Sequence, residues 1–225
     1  MRITHTERER GKRERETHRR MRFGYKFSGL MGKVYSNGRV IFTAEGSTIV
    51  SIVGNKISVF DCLESKSKTL NIQHISDIKW IALSPDNSIL LSIDMDNNLF
   101  ISNFKKEVLI SGMKIKGIAV NALQFSPNGK LFAVGVDTHI QLWKTPALHK
   151  QFAPFVLYRD IVEQHTEDVH HISWTNNSQF ILSAARDNSV MIHKVEQDST
   201  FITINLFGHR SPLIGSFWDS NDSTV

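Results

Sequence analysis

The chain has 225 residues, 40% of them hydrophobic, and a formal net charge of +5, long enough to bury a sizeable core. Its single cysteine, Cys62, excludes an internal disulfide and fits a reducing compartment. No apolar run approaches the roughly 18 residues of a transmembrane helix, so no membrane partner is expected.

The charge is unevenly spread. Residues 1–20 hold eight basic residues and four Glu, whereas the remainder holds 19 basic and 18 acidic residues. The stretch Arg8 to Arg20 alternates Arg and Glu without an apolar residue, so it has no face to bury. Residues 1–22 are expected to be a disordered basic tail, or an artefact of the gene model with Met21 as the true start. As a functional segment the tail would be a basic nuclear or RNA-contacting arm. Residues 23–225 then form one nearly neutral folded unit.

Along that unit the same pattern returns. Ser84-Pro85-Asp86-Asn87, Ser126-Pro127-Asn128-Gly129 and Thr175-Asn176-Asn177-Ser178 are equivalent turns, and Asp219-Ser220-Asn221 begins another. Each of the first three is followed by two short apolar runs, such as Ile89–Ser92 and Leu99–Ser102, or Phe180–Ser183 and Val190–His193. A weaker copy runs from Ala44-Glu45-Gly46 through Lys56–Asp61. The equivalent positions are Phe60, Ser102, Trp143 and His193, and the long last interval is assigned to an insertion from Thr145 to about Asp160. Short apolar runs broken by Asn, Asp, Gly and Ser predict strands and tight turns, and no stretch sustains helical periodicity. A period of about 40–45 residues points to a WD-repeat β-propeller, each repeat a four-stranded blade. The expected fold class is therefore all-β: an incomplete propeller of about four blades and the start of a fifth, the first part of a longer protein.

The repeat carries polar residues with a structural task. In the WD pattern a loop His, a strand Ser, a turn Asp and a strand Trp form a hydrogen-bonded chain, and buried polar groups need such partners. The expected members are His74, Ser92 and Asp96 in one blade, with Ser102 in the Trp place. In another they are His165, Ser183 and Asp187, with His193 in the Trp place. The blade between keeps Asp137 and Trp143 but has Lys116 and Val134 at the other positions. His209 opens one more copy.

Chemistry is poorly represented. His165, Asp168, His170 and His171 lie close in sequence, but strand alternation sends His170 and His171 to opposite faces. No metal site, catalytic residue or cofactor is expected, and the nucleophile-elbow and phosphate-loop motifs are missing. Asn176-Asn177-Ser178 and Asn221-Asp222-Ser223 match a glycosylation triplet but are read as turns. Trp80, Trp174 and Trp218 are placed on innermost strands as packing residues. Phe152, Phe155 and Tyr158, within the insertion, are candidates for partner contact, or alternatively pack against the outer strand of their own blade.

Several blocks carry a closer resemblance. Phe27-Ser28-Gly29-Leu30-Met31-Gly32-Lys33-Val34-Tyr35, Gly54–Asp61, and Leu142-Trp143-Lys144-Thr145-Pro146 with Gln151-Phe152-Ala153-Pro154-Phe155 resemble the N-terminal part of the periodic tryptophan protein 2 family, over about residues 25–225. The resemblance implies a non-catalytic nucleolar scaffold of the small-subunit processome. Its partners would be other WD-repeat processome subunits, precursor ribosomal RNA and small nucleolar ribonucleoprotein. A WD-repeat scaffold of another complex, such as a vesicle coat or ubiquitin-ligase adaptor, is the alternative. A propeller enzyme ranks last, because no acid/base or nucleophile constellation is present.

Overall fold

The computed structural model describes residues 39–147, 155–162, 165–197 and 202–219. The expectations for the basic tail, for Phe27–Tyr35 and for Phe152 lie outside these residues, as does most of the turn begun at Asp219.

Among the described residues there are sixteen strands and no helix. They form four four-stranded antiparallel sheets. The first holds β1 (Val40–Phe42), β2 (Thr48–Val53), β3 (Lys56–Asp61) and β4 (Lys66–Gln73). The second holds β5 (Ile78–Leu83), β6 (Ile89–Asp94), β7 (Asn98–Asn103) and β8 (Val108–Lys114). The third holds β9 (Val120–Phe125), β10 (Leu131–Val136), β11 (His139–Lys144) and β12 (Leu157–Ile161). The fourth holds β13 (Val169–Trp174), β14 (Phe180–Ala185), β15 (Val190–Lys194) and β16 (Ile204–Leu206). In every sheet the spatial order is the chain order, a four-stranded meander. These are WD-type blades.

The repeated turn between the first two strands of each blade explains the regularity. Gly46, Asn87, Gly129 and Ser178 occupy its last position, all with φ between 55° and 69°, the left-handed region that Gly and Asn tolerate best. Each donates its amide to the residue three earlier: Thr43, Ser84, Ser126 and Thr175, at 2.8–2.9 Å. The hydroxyls of those same four residues accept an amide from the start of the second strand: Thr48, Ile89, Leu131 and Phe180. A Ser or Thr at this point therefore closes the turn from both ends.

The core lies between blades rather than within them. Val50, Ile57 and Leu70 of the first blade pack with Ile78, Ile81 and Leu90 of the second. Leu91, Leu99 and Ile101 pack with Val120, Phe132 and Val134 of the third. Ala133, Ile140 and Leu142 pack with Ile172, Trp174 and Ile181 of the fourth. Middle strands are thus covered on both sides; β6 is buried at all six residues. A lone blade would expose both apolar faces, the physical reason the repeat works only in a stack. The far face of the fourth blade, Leu182, Ala184, Val190 and Ile192, meets Leu213 and Trp218 from the following segment. Trp80 and Trp174 sit on innermost strands as expected; Trp218 lies in a segment without strand pairing.

One polar link recurs between blades. The first amide of each inner strand reaches the turn of the preceding blade: Ile78 to the Gly54 carbonyl, Val120 to the Asn97 side chain, and Val169 to the Asp137 carbonyl.

The interval between Trp143 and His193 has a more specific cause than an insertion as far as Asp160. Its last part, Leu157–Ile161, is the outer strand of the third blade, paired with β11 from Ile140↔Ile161 to Trp143↔Leu157. The extra length lies between Thr145 and Val156.

Candidate functional site

The loop leading into the second blade buries His74, 2% exposed. Its Nδ1 lies 3.2 Å from Asp94 Oδ2 and its Nε2 2.7 Å from Ser92 Oγ. With Nδ1–H donated to the carboxylate, Nε2 is left to accept the serine hydroxyl. The acidic partner is Asp94, not Asp96. Asp94 ends β6, is itself buried, and accepts the amides of Asp96 and Asn98 and the Asn98 side chain. Asp96 enters the arrangement only through its backbone. The place expected for Trp holds Ser102, whose buried hydroxyl finds no partner among the described residues. Phe100 instead stacks on the imidazole at 4.0 Å.

The loop into the fourth blade repeats the theme. His165 Nδ1 lies 3.2 Å from Asp187 Oδ2, and Nε2 lies 2.8 Å from Ser183 Oγ. Ser183 continues to His193 Nε2 at 2.9 Å. Because Ser183 donates to His165, its oxygen is free to accept from His193 Nε2–H. His193 thus supplies the ring N–H that a tryptophan would supply. Its other nitrogen is buried without a partner. Burial, reinforced by the charges of His165 and Arg159, pushes the His193 pKa down to about 3. Burial likewise lowers His74 and His165 against the opposing pull of Asp94 and Asp187. Burial opposes ionisation of Asp187, yet hydrogen bonds from Ser189 and Thr166 and the charge of His165 hold its pKa at about 2.

The third blade is built differently. Asp137 has no histidine to meet, and its carboxylate instead accepts the Ile118 and Ala119 amides at 3.0 and 2.8 Å. Trp143 does not join it: the indole packs half-buried against the core between the second and third blades, and its N–H has no partner among the described residues. The beginning of the loop is shaped by Gly117, at φ +147°, where a Cβ would fall 2.2 Å from Val136. His209, expected to open a further copy, is exposed, in a segment that forms no strand.

All of these loops and turns share one end of the blades. The Ser/Thr turns lie at the other, and there a groove of about 890 Å³ crosses the second, third and fourth blades. Tyr158 of β12 lines it, with Lys144 Nζ 5.8 Å from its ring centre, beside Asp86, Lys130 and Glu196. Tyr158 is 39% exposed, whereas Phe155 is half-buried against the inter-blade core. Phe155 thus packs into the core between blades rather than on the outer strand, and Tyr158 is itself a residue of that outer strand. Arg159, which the sequence gave no reason to notice, ties this edge to the fourth blade through the Lys194 and Glu196 carbonyls at 2.7 and 3.1 Å. No group of three or more metal-ligating side chains occurs among the described residues. Cys62 is free and exposed.

A profile of the WD domain, G-beta repeat, matches residues 112–144 and 158–194; the first region contains β9–β11, and the second contains β13–β15 and all of β12 but its first residue. The chain is 35% identical over 212 residues to the periodic tryptophan protein 2 homolog of Neurospora crassa, covering 91% of this chain and 23% of that protein. It is 35% identical over 208 residues to periodic tryptophan protein 2 of Saccharomyces cerevisiae, covering 91% and 22%. Against the Mus musculus homolog it is 30% identical over 201 residues, covering 89% and 22%. The chain thus spans less than a quarter of the length of these relatives.

Proposed function

We propose that this chain, which belongs to the periodic tryptophan protein 2 family of WD-repeat proteins, acts as a non-catalytic scaffold in ribosome biogenesis, in the processing of small-subunit ribosomal RNA precursors within the nucleolar small-subunit processome. The observation that carries this reading is likeness to that family over about nine-tenths of the chain. The site is consistent with holding rather than reacting. Its buried His–Ser–Asp groups are consumed in fixing loops, and their carboxylates are engaged with amides rather than aimed at a cavity.

Partners are other WD-repeat processome subunits, with precursor ribosomal RNA and small nucleolar ribonucleoprotein met inside the assembled particle. The groove beside Tyr158 mixes Lys130, Lys144 and Lys194 with Asp86 and Glu196. Such interspersed charge suits a protein surface better than a phosphate backbone, whose attraction scales with clustered cations. Loops on a rigid sheet scaffold are where such contacts concentrate.

Depletion of the full-length protein tests the assignment. Small-subunit ribosomal RNA maturation should stall while large-subunit maturation continues, and the tagged protein should sediment with large nucleolar particles. Normal small-subunit RNA levels, or migration with light cytosolic complexes of the vesicle-coat or ubiquitin-ligase kind, would overturn it.

A further inference from the structure

A second cavity, of about 550 Å³, lies where the innermost strands β1, β5, β9 and β13 converge. Four residues before each Ser/Thr of the repeated turn, the blades carry Arg39, Trp80, Ala122 and His171. Trp80 is fixed: its indole donates to the Val120 carbonyl of the next blade at 3.1 Å and is 7% exposed. Arg39 lies over that ring, its guanidinium carbon 3.5 Å from the centroid. Across the cavity stand His170 and His171, which a register shift between Val169 and His171 brings together, where simple alternation would send them to opposite faces. His171 accepts the Ser216 amide on Nδ1 at 3.3 Å, so its Nε2 carries the proton. Both nitrogens of His170 are buried without a partner.

This lining is unbalanced. Among the described residues it contains one permanent cation and two imidazoles and no Asp or Glu, and no hydrogen bond or ion pair joins Arg39 to another described residue. A guanidinium whose carbon lies 3.5 Å from a ring centre meets that ring as a cation, and guanidinium N–H donors match a carboxylate in bidentate geometry. We propose that this axial pocket receives an acidic side chain, Asp or Glu, from a partner protein. The remaining walls, including Phe42, Ala82 and Phe125, suit the apolar stem and neighbours of such a residue. A nucleotide fits less well: the face of Trp80 is already covered by Arg39, leaving no platform for a base, and one fixed cation attracts a phosphate chain weakly. The inference does not depend on which particle the protein serves.

The test is nuclear magnetic resonance of the full chain, following the Trp80 indole N–H and the His170 and His171 ring signals. N-acetyl-glutamate amide should give saturable shifts in the millimolar range, N-acetyl-glutamine amide none. Arg39→Gln, a change at an exposed side chain, should weaken the glutamate mimic by about tenfold while the remaining spectrum stays that of the folded chain. Equal responses to the two mimics, no saturable response, or an Arg39→Gln variant that binds as well as the parent would each overturn the proposal. Tighter saturation by uridine monophosphate would overturn it in favour of nucleic acid.

Discussion

The third blade and its two neighbours reach the same backbone shape by different chemistry. In the second and fourth blades a buried histidine bridges a strand serine and a carboxylate. In the third the carboxylate of Asp137 grips the loop amides directly, and a glycine lets the loop come close enough. The relay stores its stability in buried, titratable groups; the direct grip stores it in backbone geometry. The blade therefore requires a closed loop, and the histidine is one means of closing it.

The contrast predicts where each design fails. Gly117→Ala should be the most damaging single change, at about 3 kcal/mol, because its Cβ collides with buried Val136 at a backbone angle L-residues resist. A melting temperature unchanged by it would show that the loop can move aside. Asp94→Ala and Asp187→Ala should each cost about 1–3 kcal/mol by stranding an imidazole and several amides. Asp137→Ala should cost about 1 kcal/mol, since its loop amides lie near solvent and can rehydrate. Asp96→Ala should stay within about 0.5 kcal/mol. Denaturant unfolding of the four variants ranks them, and an Asp96 variant as weak as the Asp94 variant would contradict the hydrogen-bond assignment.

Acid should separate the blades without mutation. His74, His165 and His193 have pKa values below that of a free imidazole, so between about pH 6.5 and the folded values the unfolded chain binds protons that the native chain refuses. Their contribution is complete above about pH 6.5 and is lost as pH falls, for His193 down to about 3. The depressed carboxyl of Asp187 adds a further loss only below about pH 4, continuing to about 2. Hydrogen exchange at pH 5 against pH 7, corrected for intrinsic rates, should show β6 and β14 losing more protection than β10. Uniform loss would mean that the blades open together. Trp143→Phe should also cost little, below about 1 kcal/mol, because the lost N–H has no partner among the described residues and the ring stays apolar.

Much of this fold was legible because its signals are local. The turn residues, the alternation and the four-blade count follow from Ser84, Ser126 and Thr175 and the apolar runs behind them. What escaped was decided by side-chain direction. Asp96 and Asp187 share a distance from their serines, but the fourth blade has Ala185 where the second has Asp94, and a carboxylate at the end of the strand reaches the histidine first. Trp143 occupies the expected register yet turns to the inter-blade core. The outer strand Leu157–Ile161 was hidden by its detour, since a strand displaced from its period looks like an insertion. Phe155 and Tyr158 could not be told apart by composition, because burial of an aromatic depends on which blade it meets.

The meander order of every sheet has a mechanical consequence. Hydrogen-bond ladders join only strands consecutive in the chain, and each inner strand is fastened to the blade before it by a first amide at Ile78, Val120 or Val169. Tension applied between the ends would load those rivets before any ladder. Once one gave way, a whole blade of about 40 residues would pay out, lengthening the tether by roughly 130 Å. A stretched molecule should therefore extend as a staircase with treads of nearly equal size, rather than as a single rupture.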